Sequence, residues 1–141
     1  MSFDEIRVRF APSPTGYLHV GGLRTALFNF LFAKRTNGKF ILRIEDTDRK
    51  RFVPGATENL ISTLKKMNLF YDEGPEKEGD FGPYYQSRRT EIYQKQAKKL
   101  VEEDKAYYCF CSQNRLDKLR EEQLQNEETV MYDGKCRDLS K

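Results

Sequence analysis

Long apolar runs are missing from this chain. No stretch approaches the ~20 consecutive apolar residues that a membrane-spanning helix needs, so no membrane is expected among its partners. The opening MSFDEIRVRF has acidic residues where a secretory leader carries a basic and then an apolar segment, and a cytoplasmic location is expected. Cysteine is scarce and odd in number, three in 141 residues; that argues against a disulfide framework and fits reduced thiols. Neither sign of charge is in large excess. Lys+Arg 25 against Asp+Glu 22 leaves +3, which permits a polyanionic partner without requiring one. Apolar residues are not scarce, at 38% with 13% aromatics, which excludes a disordered chain. The length suits about one domain-sized core. Histidine occurs once, as His19 in RFAPSPTGYLHVGG (residues 9–22), amid proline and glycine punctuation.

What flanks that loop is regular. Ile6, Val8 and Phe10 alternate with Arg7 and Arg9, the period of a strand, which Pro12 to Gly16 then ends. Leu23, Ala26, Leu27, Phe30 and Leu31 recur at helical spacing; Phe28 and Phe32 widen the apolar face, so cover on two sides is expected. TNGK (Thr36 to Lys39) supplies a stop, and FILRI (Phe40 to Ile44) reads as a buried strand. Strand, helix, strand is a βαβ unit with parallel strands. A further unit starts at Pro54, with Leu60, Ile61, Leu64 and Met67 on a helix and a short strand at 69–71. Asp72 to Pro83, with three glycines and two prolines, is a loop. An amphipathic helix follows over Thr90 to Glu103, with Ile92, Tyr93, Ala97, Leu100 and Val101 inward. A strand is expected at Ala106 to Cys111, then a charged helix from Ser112 to Asn126.

In open parallel sheets ligands sit beyond the carboxyl ends of the strands. Here the first strand runs into APSPTGYLHVGG and the second into Glu45, Asp46, Thr47 and Asp48. Gly21 and Gly22 lie at the mouth of the helix, where backbone N–H groups and the dipole favour an anion. His19 is placed to donate to the same phosphate. The competing reading is a plain βα turn with a capping histidine. The glycine order fits neither G-x-G-x-x-G nor the P-loop pattern, which disfavours an ordinary dinucleotide or P-loop site. Glu45, Asp46 and Asp48 could equally form a solvated acidic loop, and Arg9 could face solvent or take a carboxylate by a bidentate contact. Cys109 and Cys111 form a C-x-C pair, with Cys136 after 24 intervening residues. Three thiolates plus one more ligand would make a closed zinc site, and a buried strand end is the alternative.

RFAPSPTGYLHVGGLRTALFNFLFAKRTNGKFILRIEDTD resembles the start of a bacterial-type glutamyl-tRNA synthetase, a class I aminoacyl-tRNA synthetase, with HVGG in the place of that class's histidine-containing ATP signature. The likeness continues through RFVPGATENLISTLKKMNLFYDEGP and GPYYQSRRTEIYQK and covers essentially the whole chain. It implies an α/β fold: residues 1–86 as the first half of a Rossmann-like nucleotide-binding domain, and 87–141 as the start of a zinc-bearing inserted domain that grips the tRNA acceptor stem. It implies ATP and Mg²⁺ as cofactors, glutamate and tRNA-Glu as partners, and formation of glutamyl-adenylate followed by transfer to the tRNA 3′ end. His19 and Gly21 would be catalytic, and Pro12, Ser13, Thr15, Gly16, His19, Gly21 and Gly22 would hold ATP. Arg9, Ala11, Ser13 and Glu45 would bind glutamate, Arg9 probing its side chain and Glu45 its α-ammonium. Asp48 and Arg51 would lie near the tRNA 3′-terminal adenosine, although DTDRKR and SRR also suit plain solvated surface. Zinc would be held by Cys109, Cys111, Cys136 and either Tyr132 or Asp138.

PSPTG with Gly22 points to glutamate: the glutaminyl branch has a PEPNG-like approach and a second histidine at that position. A paralogue that glutamylates a modified base of tRNA-Asp fits the same motifs. Members of this family run to several hundred residues, and this chain lacks the second half of the nucleotide domain, the lysine-rich signature loop and an anticodon-binding domain. A fragment, monomeric and with little activity or stability alone, is therefore expected. A non-catalytic tRNA- or nucleotide-binding module and a zinc-stabilised interaction domain are the readings from other classes.

Overall fold

The computed structural model describes residues 6–139, and the chain divides into two units with the boundary between Thr90 and Glu91. In the first, the alternating segment forms β1 (Arg7–Phe10) and the apolar segment after TNGK forms β2 (Lys39–Leu42). They pair in parallel, Val8 beside Phe40 and Phe10 beside Leu42. Between them runs α1 (Val20–Arg35), the crossover that a parallel pair requires. The stop is where the sequence puts it: Asn37 takes a left-handed φ of 52° and the Gly38 amide turns back to the Ala33 carbonyl at 2.9 Å.

Alternate backbone groups of β2 serve its other edge. Asp72 N–H donates to Phe40 O and Leu42 N–H to Glu73 O, at 2.7 and 2.9 Å; farther on, Ile44 N–H donates to Tyr84 O and Gln86 N–H to Ile44 O. These contacts are single parallel bridges, Ile41 with Glu73 and Ile44 with Tyr85. The short strand expected at 69–71 is thus not formed. The pairing is displaced to Glu73 because Leu69 and Tyr71 are used as buried core residues, and the turn joining Gly74 to Lys77 ends the ladder at once. After α2 (Ala56–Lys66), the core is complete for this unit: Phe10, Ala26, Phe40, Leu42, Leu60 and Leu64 are at its centre, with Phe30 edge-on to Phe40 at 5.9 Å.

Two-sided cover of α1 is not found among the described residues. Ala26 and Ala33 are buried and Leu23 and Phe30 pack on the core, but Leu27, Leu31 and Phe32 are exposed and Phe28 is 68% exposed. The physical reason is that the core lies against one face of the helix, and no described element covers the other.

A short 3₁₀ turn (Gln86–Arg89) leads into α3 (Thr90–Glu102), and the second unit ends with α4 (Gln113–Gln125), capped by Ser112. The inward positions expected on α3 are not buried: Ile92, Tyr93 and Leu100 are all exposed, and neither α3 nor α4 contains a buried residue. Ala106 to Cys111 is not a strand, since it finds no ladder partner among the described residues. Cys136 is the one buried apolar side chain described here.

A buried ionic cluster ties the 73–84 segment to β1. Arg7 donates to Glu73 Oε2 at 2.5 Å and lies over the Phe81 ring, 4.4 Å from its centroid, while the Tyr84 hydroxyl donates to the same carboxylate oxygen. The hydrogen bonds from Arg7 and Tyr84 outweigh burial and hold the Glu73 carboxyl below its ordinary range. Its stabilisation is therefore present above the unfolded-state pKa and is lost as pH falls through the lower folded value. Removing one partner of a buried pair leaves the other charge uncompensated, at a cost of about 3 kcal/mol. Glu73→Gln is expected to lower the urea-unfolding midpoint at neutral pH, with the gap to the native chain closing as the solution is acidified below the carboxylate range.

Candidate functional site

Parallel strands release their chains at the same end of the sheet, and backbone bonds then fasten the two exits together. Glu45 N–H, just past β2, donates to Pro12 O at 2.9 Å, and Val53 N–H donates to Pro14 O at 3.0 Å. Pro14 is buried, while Ser13 and Gly16 are exposed. The loop carrying Ala11, Pro12, Ser13, Thr15 and Gly16 is thereby held against the segment that carries Glu45 to Val53, with Thr15 N–H turned back onto Ser13 O.

His19 is the N-cap of α1, so the helix begins at Val20, three residues before the first apolar position of its pattern. Its Nδ1 accepts from the Gly21 amide at 3.1 Å. The capping role and the anion role are therefore both open to one imidazole: with Nδ1 an acceptor, the neutral ring keeps its proton on Nε2, and the side chain is exposed. The Gly21 amide is engaged by this cap. Among the described residues, none bonds the amides of Val20 and Gly22, which are orphan donors of the first turn. A side chain at either glycine would have to displace a neighbouring side chain. A Cβ on Gly21 would lie 2.9 Å from His19 Cε1, and one on Gly22 would lie 2.8 Å from Leu18 Cδ1.

Each carboxylate of the acidic run has a protein partner. Arg43 donates to Glu45 Oε1 at 2.8 Å. Asp46 receives the Ser87 amide at 2.8 Å and its hydroxyl at 2.6 Å. Asp48 receives Arg51 Nε at 2.6 Å, and the Arg51 bonds keep its carboxyl below the ordinary range. Arg9, in contrast, is exposed near the carboxyl end of β1 and makes no ion pair with any described residue. Arg43 carried no motif that would single it out, and Ser87 stood out only as the first residue of the basic SRR group; Ser87 reaches Asp46 from 41 positions away, and only the return of the chain beside β2 brings it there.

In the second unit the sulfurs of Cys109, Cys111 and Cys136 lie within 4.8 Å of one another. Asp138 is not in this cluster. The Tyr132 hydroxyl is, at 3.4 Å from Cys109 Sγ and 3.5 Å from Cys111 Sγ, and it accepts from the Cys136 amide at 3.0 Å. Bonds of about 2.3 Å to sulfur and 2.0 Å to oxygen in a tetrahedral zinc site give edges of roughly 3.8 Å for S···S and 3.5 Å for S···O. The Cys111–Cys136 separation is 3.6 Å, so three thiols and the phenol have the spacing of a zinc ligand set. The Tyr132 hydroxyl and the Phe110 amide bring the Cys136 thiol down to about 7, while the neighbouring sulfurs hold the Tyr132 phenol above its ordinary value.

A parallel strand pair with its crossover helix is the kind of unit that takes ligands beyond the carboxyl ends of its strands, and here that end carries the His19 loop and the Glu45–Asp48 segment. Residues 5–141 match the model of the family described as tRNA synthetases class I (E and Q), catalytic domain, and the chain belongs to that family. It is 58% identical over 136 residues to a glutamate–tRNA ligase of Dehalococcoides mccartyi strain CBDB1, covering 96% of this chain and 28% of that protein. The glutamate–tRNA ligase of Clostridium novyi is 57% identical over 141 residues, again 28% of its length. Among solved structures, a glutamate tRNA ligase from Elizabethkingia meningosepticum in complex with its amino acid matches with a TM-score of 0.85 and 44% identity, over 95% of this chain and 27% of the other. The chain thus spans about 28% of the length of the curated relatives it matches. No helix among the described residues is long and apolar enough to cross a membrane.

If His19 caps α1, the substitutions separate cleanly. His19→Ala should lower stability by about 1 kcal/mol and His19→Asn by almost nothing, because Asn is among the best N-cap residues; chemical denaturation monitored by circular dichroism checks both.

Proposed function

We propose that this chain supplies the first part of a glutamate–tRNA ligase. Residues 1–86 form the first half of a Rossmann-like catalytic domain, and 87–141 begin an inserted, zinc-bearing domain that contacts the tRNA acceptor stem. The observation that carries the reading is His19: its Nδ1 is occupied by the Gly21 amide, which leaves Nε2 as a donor at the positive end of α1.

Activation joins the α-carboxylate of glutamate to the α-phosphorus of ATP; the bond to the pyrophosphate oxygen breaks, and glutamyl-adenylate remains. No protein nucleophile is needed, and catalysis rests on positioning and on charge stabilisation. Nε2 of His19 and the unbonded amides of Val20 and Gly22 would meet the phosphates as pyrophosphate departs. Pro12, Ser13, Thr15, Gly16 and Gly21 shape the ATP cradle around them. Arg9, without an ion-pair partner among the described residues, suits the side-chain carboxylate of glutamate by a bidentate contact. Glu45, oriented by Arg43 at 2.8 Å, suits the α-ammonium, and Ala11 and Ser13 complete that pocket. Magnesium would come with ATP as the counter-charge of its phosphates, since Glu45, Asp46 and Asp48 are all engaged by protein groups. Transfer to the 3′-terminal ribose would follow, with Asp48 and Arg51 beside the terminal adenosine of tRNA-Glu.

Zinc would be held by Cys109, Cys111, Cys136 and Tyr132. The spacing of these four supports the set, and Asp138, outside the cluster, is the weaker candidate for the fourth position. When bound, the ion supplies a cross-link between the C-x-C arm and the Tyr132–Cys136 turn, in a unit whose described residues bury almost no apolar side chain.

ATP–pyrophosphate exchange by the longer gene product, with and without tRNA, tests the activity. His19→Asn should keep the fold and lower the exchange rate by about 100- to 1000-fold, for loss of one charge-stabilising donor. Arg9→Ala should instead raise the KM for glutamate; unchanged glutamate dependence would remove the carboxylate role. Metal analysis of reduced protein should find one zinc per chain, and its absence would remove the zinc site. Binding of tRNA should weaken steeply with salt, as phosphate contacts do.

A further inference from the structure

One arginine joins Cys111 to Asp133, the neighbour of Tyr132, and neither the motif spacing nor the ligand set calls for it. Arg115 stands in the first turn of α4, where its own amide donates to the capping Ser112 hydroxyl at 3.4 Å. Its guanidinium reaches backwards. Nη1 donates to Cys111 Sγ at 3.4 Å, and Nη2 forms an ion pair with the Asp133 carboxylate. Asp133 lies next to Tyr132, and its other oxygen accepts the Lys135 amide at 3.2 Å. The Arg115 side chain is 29% exposed, so the contacts are partly shielded from water. A second contact joins the same two segments: the Phe110 amide donates to Cys136 Sγ at 3.4 Å.

We propose that Arg115 is a positioning residue of the metal site, its guanidinium spanning Cys111 and Asp133 so that the C-x-C arm is held against the Tyr132–Cys136 turn. The inference rests on the zinc reading above and goes beyond it, since Arg115 is not a ligand. Three thiolates around a dication leave a net negative charge, and a fixed cation in contact with one sulfur offsets it. The planar fork also does what a point charge cannot: it donates to two acceptors in different segments at once. Groups hydrogen-bonded to metal ligands typically control affinity by 10- to 100-fold.

The experiment is metal titration of the full chain, with Zn²⁺ in competition with a chromophoric chelator and with Co²⁺ followed by its thiolate charge-transfer bands. Arg115→Ala should weaken Zn²⁺ binding by about 10- to 100-fold and shift the charge-transfer band, because Cys111 loses a hydrogen bond. Arg115→Lys should recover part of the affinity. Asp133→Asn, which leaves the guanidinium in place, keeps the test open should Arg115→Ala fail to fold; it should weaken binding in the same direction by a smaller factor. Combined with Arg115→Ala it should add little, because the two residues act as a unit. A native chain that binds Zn²⁺, with variants of unchanged affinity and unshifted Co²⁺ bands, would overturn the role of Arg115 alone. A native chain that binds neither metal would overturn the zinc reading and this inference together.

Discussion

Parallel pairing of β1 with β2 is the constraint from which the candidate site follows. Strands that run the same way deliver their chains to the same end of the sheet, and a helix must cross between them to make that possible. The loop after β1 and the acidic segment after β2 then meet without any further long-range design, and two backbone bonds, Glu45 to Pro12 and Val53 to Pro14, fasten them. An antiparallel arrangement of the same two strands would put His19 and Glu45 at opposite ends.

Within that frame, the local chemistry is largely one of groups already engaged. His19 closes the helix end, Glu45 is held by Arg43, Asp46 by Ser87 and Asp48 by Arg51. Among the described residues, the groups left without a partner there include Nε2 of His19, the Val20 and Gly22 amides, and the Arg9 guanidinium. Those are donors of hydrogen bonds and positive potential. A site so composed favours an anionic ligand, and the carboxylates serve to orient their neighbours as much as to bind.

The second unit is built on a different principle. Its helices present no buried residue, and the aromatic segment at Tyr107, Tyr108 and Phe110 is exposed. Order in the Tyr132–Cys136 region comes instead from sulfur, a phenol, an amide and an ion pair around Cys136. Under the zinc reading proposed above, such a unit would be held by bonds to a central ion rather than by apolar area, as small loop-rich segments are when they lack the residues for a core. In the first unit, which has a core, the face of α1 carrying Phe28 and Phe32 is uncovered among the described residues.

The periodicities of the sequence determined the local elements: β1, α1 with its stop at Asn37, β2, α2, α3 and α4 all lie close to where spacing and caps put them. They determined as well that β1 and β2 run parallel, and the motifs brought His19, Glu45 and the cysteines forward as candidates. Elements such as the expected strands at 69–71 and 106–111 were misread, because a strand exists only when a partner pairs with it and β-forming composition carries no information about partners. The tertiary structure alone decided which distant charged and polar groups meet. Arg7 finds Glu73 across 66 positions, Ser87 finds Asp46 across 41, and Arg115 finds Asp133 across 18. Local spacing encodes which face of an element is apolar, whereas the partner of a charged side chain depends on the path of the whole chain through space.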